Sequence, residues 1–338
     1  MKNLSIFTRY DRLGASSRYR YFMYEKYLRE GDYEPEYYNF YDDAYLRALY
    51  AGRRSFGALP RAWLRRFRDL RQSAENMLIE YELFPFLPYW VDRMFLKHRR
   101  YVVNFDDNVW EKYAKIPWLR NKFDRIVANA TGVIVANDFL YRKTKLLNDN
   151  VIKIPTVPDA AIYITDQPKF EKFTVVWIGT PVTYSYLEAF ADVLRTMSSA
   201  VEFELLVIAS SSLKNIPGVS MRCVDWSPEV ETELLGRSHV GIMPLTNEAF
   251  AQGKSAFKII QYFAAGLPAV ASPIGENCAV IQEGKTGFLP QSTAEWVSAI
   301  KKLSDQQLRQ QMSEKAKESA QHLTIQHWQK ILLDFLKF

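Results

Sequence analysis

Short, nearly uncharged apolar runs alternate with helix-length polar segments along this chain, and they do so in two separate series. The first series is Leu4 to Thr8, Asn76 to Tyr81, Tyr101 to Phe105 and Val133 to Ala136. The second is Thr174 to Ile178, Glu204 to Ile208, Ser220 to Val224, Val240 to Met243 and Ala269 to Ser272. Strands that read as continuous apolar runs are buried on both faces, and strands separated by helices pair in parallel. Each series therefore predicts a parallel sheet covered by helices, with helices in the second half expected at Ser185 to Thr196, Glu229 to Gly236 and Ala256 to Ala265. Between the series, Ile154-Pro155-Thr156-Val157-Pro158-Asp159 and the polar stretch to Lys172 form an expected interdomain hinge, which ends the first domain at residue 158.

At 338 residues, 48% apolar and 24% charged, the chain has the mass for two ordinary domains and the wrong composition for a disordered, collagenous or coiled-coil protein. The apolar run Leu4 to Phe7 is cut short by Arg9, so no signal-peptide core is present, and no stretch reaches a membrane span. Two cysteines, Cys223 and Cys278, make neither a disulfide framework nor a metal site, which predicts a cytoplasmic setting with both thiols buried. Charge is divided unevenly: residues 1–158 hold 28 Lys and Arg against 19 Asp and Glu, while 159–338 hold 16 against 19. A basic half and a mildly acidic half are expected to meet different partners, with something anionic near the first.

In the first half, the strand at Leu4 to Thr8 leads into Gly14-Ala15-Ser16-Ser17-Arg18 and a helical run through Tyr21, Tyr24 and Leu28. Strand, small-residue loop and helix in that order can present backbone N–H groups to an anion, with Arg18 beside them, or can simply turn and cap the helix. In parallel sheets ligands gather beyond the carboxyl ends of the strands, where Asp106-Asp107-Asn108 and Asn137-Asp138 fall. Asp106 and Asp107 can bind sugar hydroxyls, act as a base or cap the next helix.

The segment from Gly52 to Gln72 interleaves Arg53, Arg54, Arg61, Arg65, Arg66, Arg68 and Arg71 with Phe56, Trp63, Phe67 and Leu70. Trp63, Phe67 and Leu70 share one helical face. That pattern fits a helix lying on an anionic membrane, or a surface helix whose stripe faces its own core. No nucleic-acid motif accompanies the charge.

In the second half, Gly253-Lys254-Ser255-Ala256-Phe257-Lys258-Ile259-Ile260-Gln261 follows the strand that ends at Pro244. A helix opening here places Lys254 and Lys258 on one side near its positive end, where a phosphate would meet both ammonium groups. Gln261, three residues on from Lys258, could bond paired ribose hydroxyls.

This segment and its continuation Ala264-Ala265-Gly266-Leu267-Pro268-Ala269-Val270 resemble the family-four glycosyltransferases of GT-B fold. The usual paired glutamates are replaced by Gly253 and Gln261, so a divergent subgroup with Gly-Lys and Lys-x-x-Gln is the better match. The resemblance extends to Val176-Trp177-Ile178-Gly179-Thr180-Pro181, Asn104-Phe105-Asp106-Asp107 and Gly284-Lys285-Thr286-Gly287-Phe288. It implies an α/β protein of two Rossmann-like doubly wound domains with an interdomain cleft. Residues 1–158 would face the acceptor and 159–322 would bind the nucleotide sugar. A C-terminal segment, 323–338, with Trp328, Ile331, Leu332 and Phe335, would pack back on the first domain. Gly179 and Thr180 would approach the diphosphate or sugar, Asp225 and Trp226 would border the base, and Lys254 and Lys258 would neutralise the departing diphosphate.

The implied function is a retaining, metal-independent transfer of a hexosyl group from a nucleotide-sugar co-substrate, with no other cofactor, to a glycan or lipid-linked acceptor. The setting would be bacterial surface polysaccharide synthesis on the cytoplasmic side of an anionic membrane. A GT-B sugar-nucleotide epimerase and a non-catalytic nucleotide-sugar-binding scaffold are the competing readings.

Overall fold

The computed structural model describes residues 2–53, 57–163 and 167–337. Arg54 and Phe56 of the arginine-rich segment, and residues 164–166 of the expected hinge, lie outside the described residues. The chain divides into two compact units: Met1–Thr156 with Gln252–Ser255 and Ile325–Phe338, and Val157–Ala251 with Ala256–Thr324.

The N-terminal unit is built on six parallel strands, β1 (Lys2–Tyr10), β2 (Tyr33–Tyr41), β3 (Asn76–Glu80), β4 (Arg100–Phe105), β5 (Gly132–Val135) and β6 (Val151–Lys153). Their order across the sheet is β2-β1-β3-β4-β5-β6. The chain winds outward from β1 to β2 and then crosses to β3, so the direction of winding switches between β1 and β3, where a doubly wound sheet opens a crevice at its strand exits. Register pairs Phe7 with Ile79, which brings the ends of β1 and β3 side by side. Phe7, Met77, Ile79, Val103, Phe105, Val133 and Val135 share one core cluster. β2 and β6 are absent from the sequence expectation. β2 is an edge strand interrupted by Pro35 and two glutamates, a composition that a central strand would not tolerate.

The C-terminal unit holds β7 (Thr174–Ile178), β8 (Glu204–Ala209), β9 (Met221–Asp225), β10 (Val240–Met243), β11 (Ala269–Ala271) and β12 (Gly287–Phe288), ordered β12-β11-β10-β7-β8-β9 and parallel throughout. Val175 and Trp177 enter one core cluster while Val176 and Ile178 enter the other. Successive side chains on opposite, equally buried faces explain why this strand reads as an unbroken apolar run. The switch here lies between β7 and β10. Helix Phe257–Ala264 closes on β10 so tightly that a Cβ at Gly241 would stand 2.2 Å from the Tyr262 ring. The Tyr262 hydroxyl accepts from the Ile178 N–H and donates to the Ile242 carbonyl, tying that helix to both strands beside the switch.

Local expectations need correction at three places. The helix expected from Ala256 starts at Phe257, because Ala256 sits in the left-handed region at φ 53°. The helix expected over Ser185 to Thr196 is two, Ser185–Ala189 and Ala191–Ala200. Neither cysteine is fully buried: Cys223 is half-buried on β9, the sheet edge, and Cys278 is exposed on the short helix Asn277–Val280. No helix among the described residues is long and apolar enough to cross a membrane.

The helix Ile325–Phe335 belongs to the N-terminal unit. The Tyr33 hydroxyl donates to the Leu336 carbonyl, Leu333 lies against Gly31, and Phe335 lies against Gly132. A side chain at either glycine would collide with that helix.

Candidate functional site

In the N-terminal unit the exits of β1, β3 and β4 converge on a buried acidic cluster. The Ser17 hydroxyl and the Arg9 N–H donate to Glu80 at 2.6 and 2.7 Å. Ser16 and Tyr81 donate their hydroxyls to the two oxygens of Asp106, which is itself buried. Burial pushes the Glu80 carboxyl up to about 7, and Asp106 adds to the rise against the bonds from Ser17 and Arg9. The serine loop therefore serves the protein's own carboxylates. Gly14 is the N-cap of the six-residue helix Ala15–Arg20, and the Arg18 guanidinium donates to the Arg12 and Leu13 carbonyls at 3.2 and 3.4 Å. A phosphate at that helix start would face Glu80 and Asp106, which disfavours the anion site that the glycine-serine loop suggests.

Behind this cluster, Lys122 is buried and anchors the turn after β3. Its ammonium lies 2.8 Å from Glu82 and 2.9 Å from Asp92, and donates to the Phe84 and Leu87 carbonyls. Arg9 adds a second cation, 3.1 Å from Glu82. Burial alone would raise Glu82, but Lys122 and Arg9 outweigh it and hold this carboxyl below its ordinary value.

Asp107 turns the other way from Asp106. It pairs with Lys254 at 3.8 Å, and the segment carrying Lys254 is folded into the N-terminal unit. The Asn137 side-chain amide donates to the Gly253 carbonyl at 2.6 Å, and a Cβ at Gly253 would stand 2.4 Å from that of Asn108. Thus Asp107, Asn108, Asn137, Gly253 and Lys254, far apart in sequence, meet at the exits of β4 and β5.

In the C-terminal unit the site residues gather at the exit of β7. Gly179 is required there because any side chain would strike the Trp177 ring at 2.2 Å. Over that ring, 5.4 Å from its centroid, stands the Lys258 ammonium. Thr180 is held by a tight turn in which its N–H donates to the Thr183 hydroxyl at 2.9 Å. Lys258 lies in the first turn of helix Phe257–Ala264, which no side chain caps. Lys254 precedes the left-handed Ala256 and so is not one turn below Lys258 on a common helix; the expected paired-lysine face does not form.

Gln261, expected toward ribose, is buried, and its nitrogen donates to Glu231 at 2.7 Å and toward the Tyr163 hydroxyl at 3.4 Å. Trp226 donates its indole N–H to the other Glu231 oxygen at 2.7 Å, and Tyr163 donates to the first at 2.5 Å. A ribose hydroxyl reaching for the Gln261 nitrogen would compete with Glu231. Asp225, exposed, accepts from the Ser211 N–H and hydroxyl, both at 2.8 Å, and these bonds hold its carboxyl below the ordinary range.

Glu80, Glu82, Lys122 and Glu231 are the polar residues that pattern-reading missed. For Glu80 a signal exists: an acid that closes the apolar run Met77-Leu78-Ile79 must be buried with its strand. Among the described residues no group of three His, Cys, Asp or Glu side chains could hold a metal ion.

Residues 172–306 match the model of the family described as Glycosyl transferases group 1. No curated protein sequence matches the chain. Among solved structures the chain is similar to HepE of Anabaena in complex with UDP and glucose, with a TM-score of 0.70, 12% identity and 99% of each chain covered. It is similar to a glycosyltransferase of Rickettsia africae, with a TM-score of 0.69 and 13% identity over 99% of this chain and 98% of that one. Sucrose-phosphate synthase of Thermosynechococcus elongatus gives 0.68 and 12% over 99% and 97%. At these identities the likeness is one of fold: two Rossmann-like α/β domains, as in GT-B glycosyltransferases.

Proposed function

We propose that this chain is a glycosyltransferase that takes a nucleotide sugar in its C-terminal unit and passes the sugar to a glycan or lipid-linked acceptor met by its N-terminal unit. The observation that carries this reading is the placement of the family match. Residues 172–306 span the C-terminal sheet, including the exit of β7 and the helix that carries Lys258 over Trp177. UDP in the complex of HepE supports a nucleoside diphosphate as the leaving group.

The reaction breaks the bond between the anomeric carbon and the diphosphate and joins the acceptor oxygen to that carbon. Negative charge builds on the diphosphate as its bond breaks. A fixed ammonium and the N–H groups of a helix start stabilise that charge more in the transition state than in the bound donor, which is what accelerates the step. Gly179 leaves room for the Trp177 ring at the strand exit, beside which the donor would bind. The role we assign to the N-terminal carboxylate Asp107, which pairs with Lys254, is binding of an acceptor or sugar hydroxyl.

The transfer retains anomeric configuration and needs no metal, and the protein works in surface polysaccharide assembly at the cytoplasmic face of an anionic membrane. A panel of nucleotide sugars, assayed for transfer, hydrolysis and epimerisation, tests the reading. Transfer to a glycan acceptor that persists in EDTA supports it. Epimerised donor without transfer, or tight nucleotide binding with no turnover under any condition, overturns it.

A further inference from the structure

The arginine-rich helix does not offer its aromatic stripe to a membrane. In helix Ala58–Gln72, Leu70 is buried, the Trp63 indole donates to the Pro85 carbonyl at 2.9 Å, and Phe67 packs at 4.6 Å on Phe84 and 5.6 Å on Phe95. Arg66 is buried too, donating to the Tyr38 and Thr8 carbonyls, and Arg65 donates to the Phe40 carbonyl. What faces outward is the opposite stripe, Arg61, Leu64, Arg68 and Arg71, with Leu64 71% exposed.

Phe95, which Phe67 touches, belongs to helix Tyr89–Leu96. That helix buries Tyr89, Val91, Asp92 and Leu96. It leaves Trp90 and Met94, one turn apart, 62% and 59% exposed. Phe86, in the turn before it, is 46% exposed. Arg93 and Lys97 are exposed beside them. Every exposed charge on these two helices is a cation; their carboxylates are Asp69, half-buried, and Asp92, fully buried against Lys122. Large apolar side chains left in water together mark a docking surface. A rim of one sign states what docks: a second copy would set cations against cations, whereas an anionic bilayer supplies headgroup phosphates for the arginines and an interface for indole and thioether.

We infer that the face of helix Tyr89–Leu96 carrying Trp90 and Met94, with Phe86 before it and Arg93 and Lys97 beside it, docks this protein on an anionic lipid bilayer. The inference deepens the proposed function, resting on it only for the lipid-linked acceptor that such docking would bring within reach. Attraction through the rim falls with salt, and the apolar insertion does not.

Sedimentation of the full chain with vesicles is the test. Equimolar phosphatidylcholine and phosphatidylglycerol should bind it about tenfold or more above phosphatidylcholine alone. Trp90→Ala with Met94→Ala should lose about tenfold, and Arg93→Gln with Lys97→Gln a similar factor together with part of the salt dependence. Arg195→Gln with Lys301→Gln, the same charge loss in the C-terminal unit, should bind as the parent does. Equal binding to both vesicle types overturns the inference. So does a concentration-dependent dimer, seen by analytical ultracentrifugation, that Trp90→Ala with Met94→Ala dissolves. Transfer to a water-soluble acceptor should be unchanged in the Trp90 and Met94 variant. Specific vesicle binding by a chain that transfers no sugar would refute the proposed function and leave the docking face standing.

Discussion

Lys254 pairs with Asp107 at 3.8 Å inside the N-terminal unit, although only three residues separate it from Lys258, which belongs to the C-terminal unit. The two lysines therefore have different surroundings, one beside an N-terminal carboxylate and the other over the Trp177 ring.

The two aspartates should separate by experiment. Asp107, half-exposed, should lose about tenfold or more in turnover on conversion to Asn, with unfolding free energy changed by less than about 1 kcal/mol, as for other exposed pairs. Asp106→Asn replaces the buried acceptor of two hydroxyls and should cost about 1–3 kcal/mol of stability. Steady-state rates and urea midpoints on both variants check this; identical stability losses would remove the distinction.

Glu231 collects donors from Trp226, Gln261 and Tyr163. Truncation to Ala leaves three donors unmatched, of which Gln261 and Tyr163 are buried and Trp226 half-buried, and at about 1–3 kcal/mol for each buried one the combined loss should reach roughly 3–5 kcal/mol after relaxation. Glu231→Gln keeps the volume and one acceptor oxygen and should lose less. Thermal unfolding of both variants checks the order, and an Ala variant as stable as the parent would contradict the network.

How much of this was legible beforehand follows from range. Both parallel sheets could be read from local apolar runs because a strand buried on two faces announces itself residue by residue. β12, two residues long, carries no such signal. Nothing local tells Gly253 and Lys254 that they fold with Asn108 and Asn137, since those contacts span more than a hundred residues. The stripe of Trp63, Phe67 and Leu70 was legible as a stripe, but periodicity is the same whether it faces a core or a bilayer. Only Phe84, Phe95 and the Pro85 carbonyl decide that. Ser17 and Glu80 were separable from an anion-binding loop only by their 2.6 Å hydrogen bond.

A raised acid has a signed consequence for stability. The Glu80 carboxyl ordinarily titrates at 4.5, and burial lifts it to about 7 in the folded chain. Between those values the folded protein holds a proton that the unfolded chain has released. Its contribution is thus most favourable below 4.5, declines as pH rises, and is lost above 7. The span corresponds to roughly 3 kcal/mol. Urea unfolding of the parent and Glu80→Gln across that range should give curves that diverge as pH rises, the parent falling relative to the variant; parallel curves would show that Glu80 carries no such shift.

Release of nucleoside diphosphate from a nucleotide sugar, measured with acceptor present, tests the central claim most directly when the parent is set beside Lys258→Ala. Stabilisation of the leaving group by Lys258 predicts diphosphate release coupled one-to-one to a glycosylated acceptor, slowed by about 10² in the variant while its fold is unchanged. A parent that couples no release to transfer, or a variant that turns over at the parental rate, would contradict it.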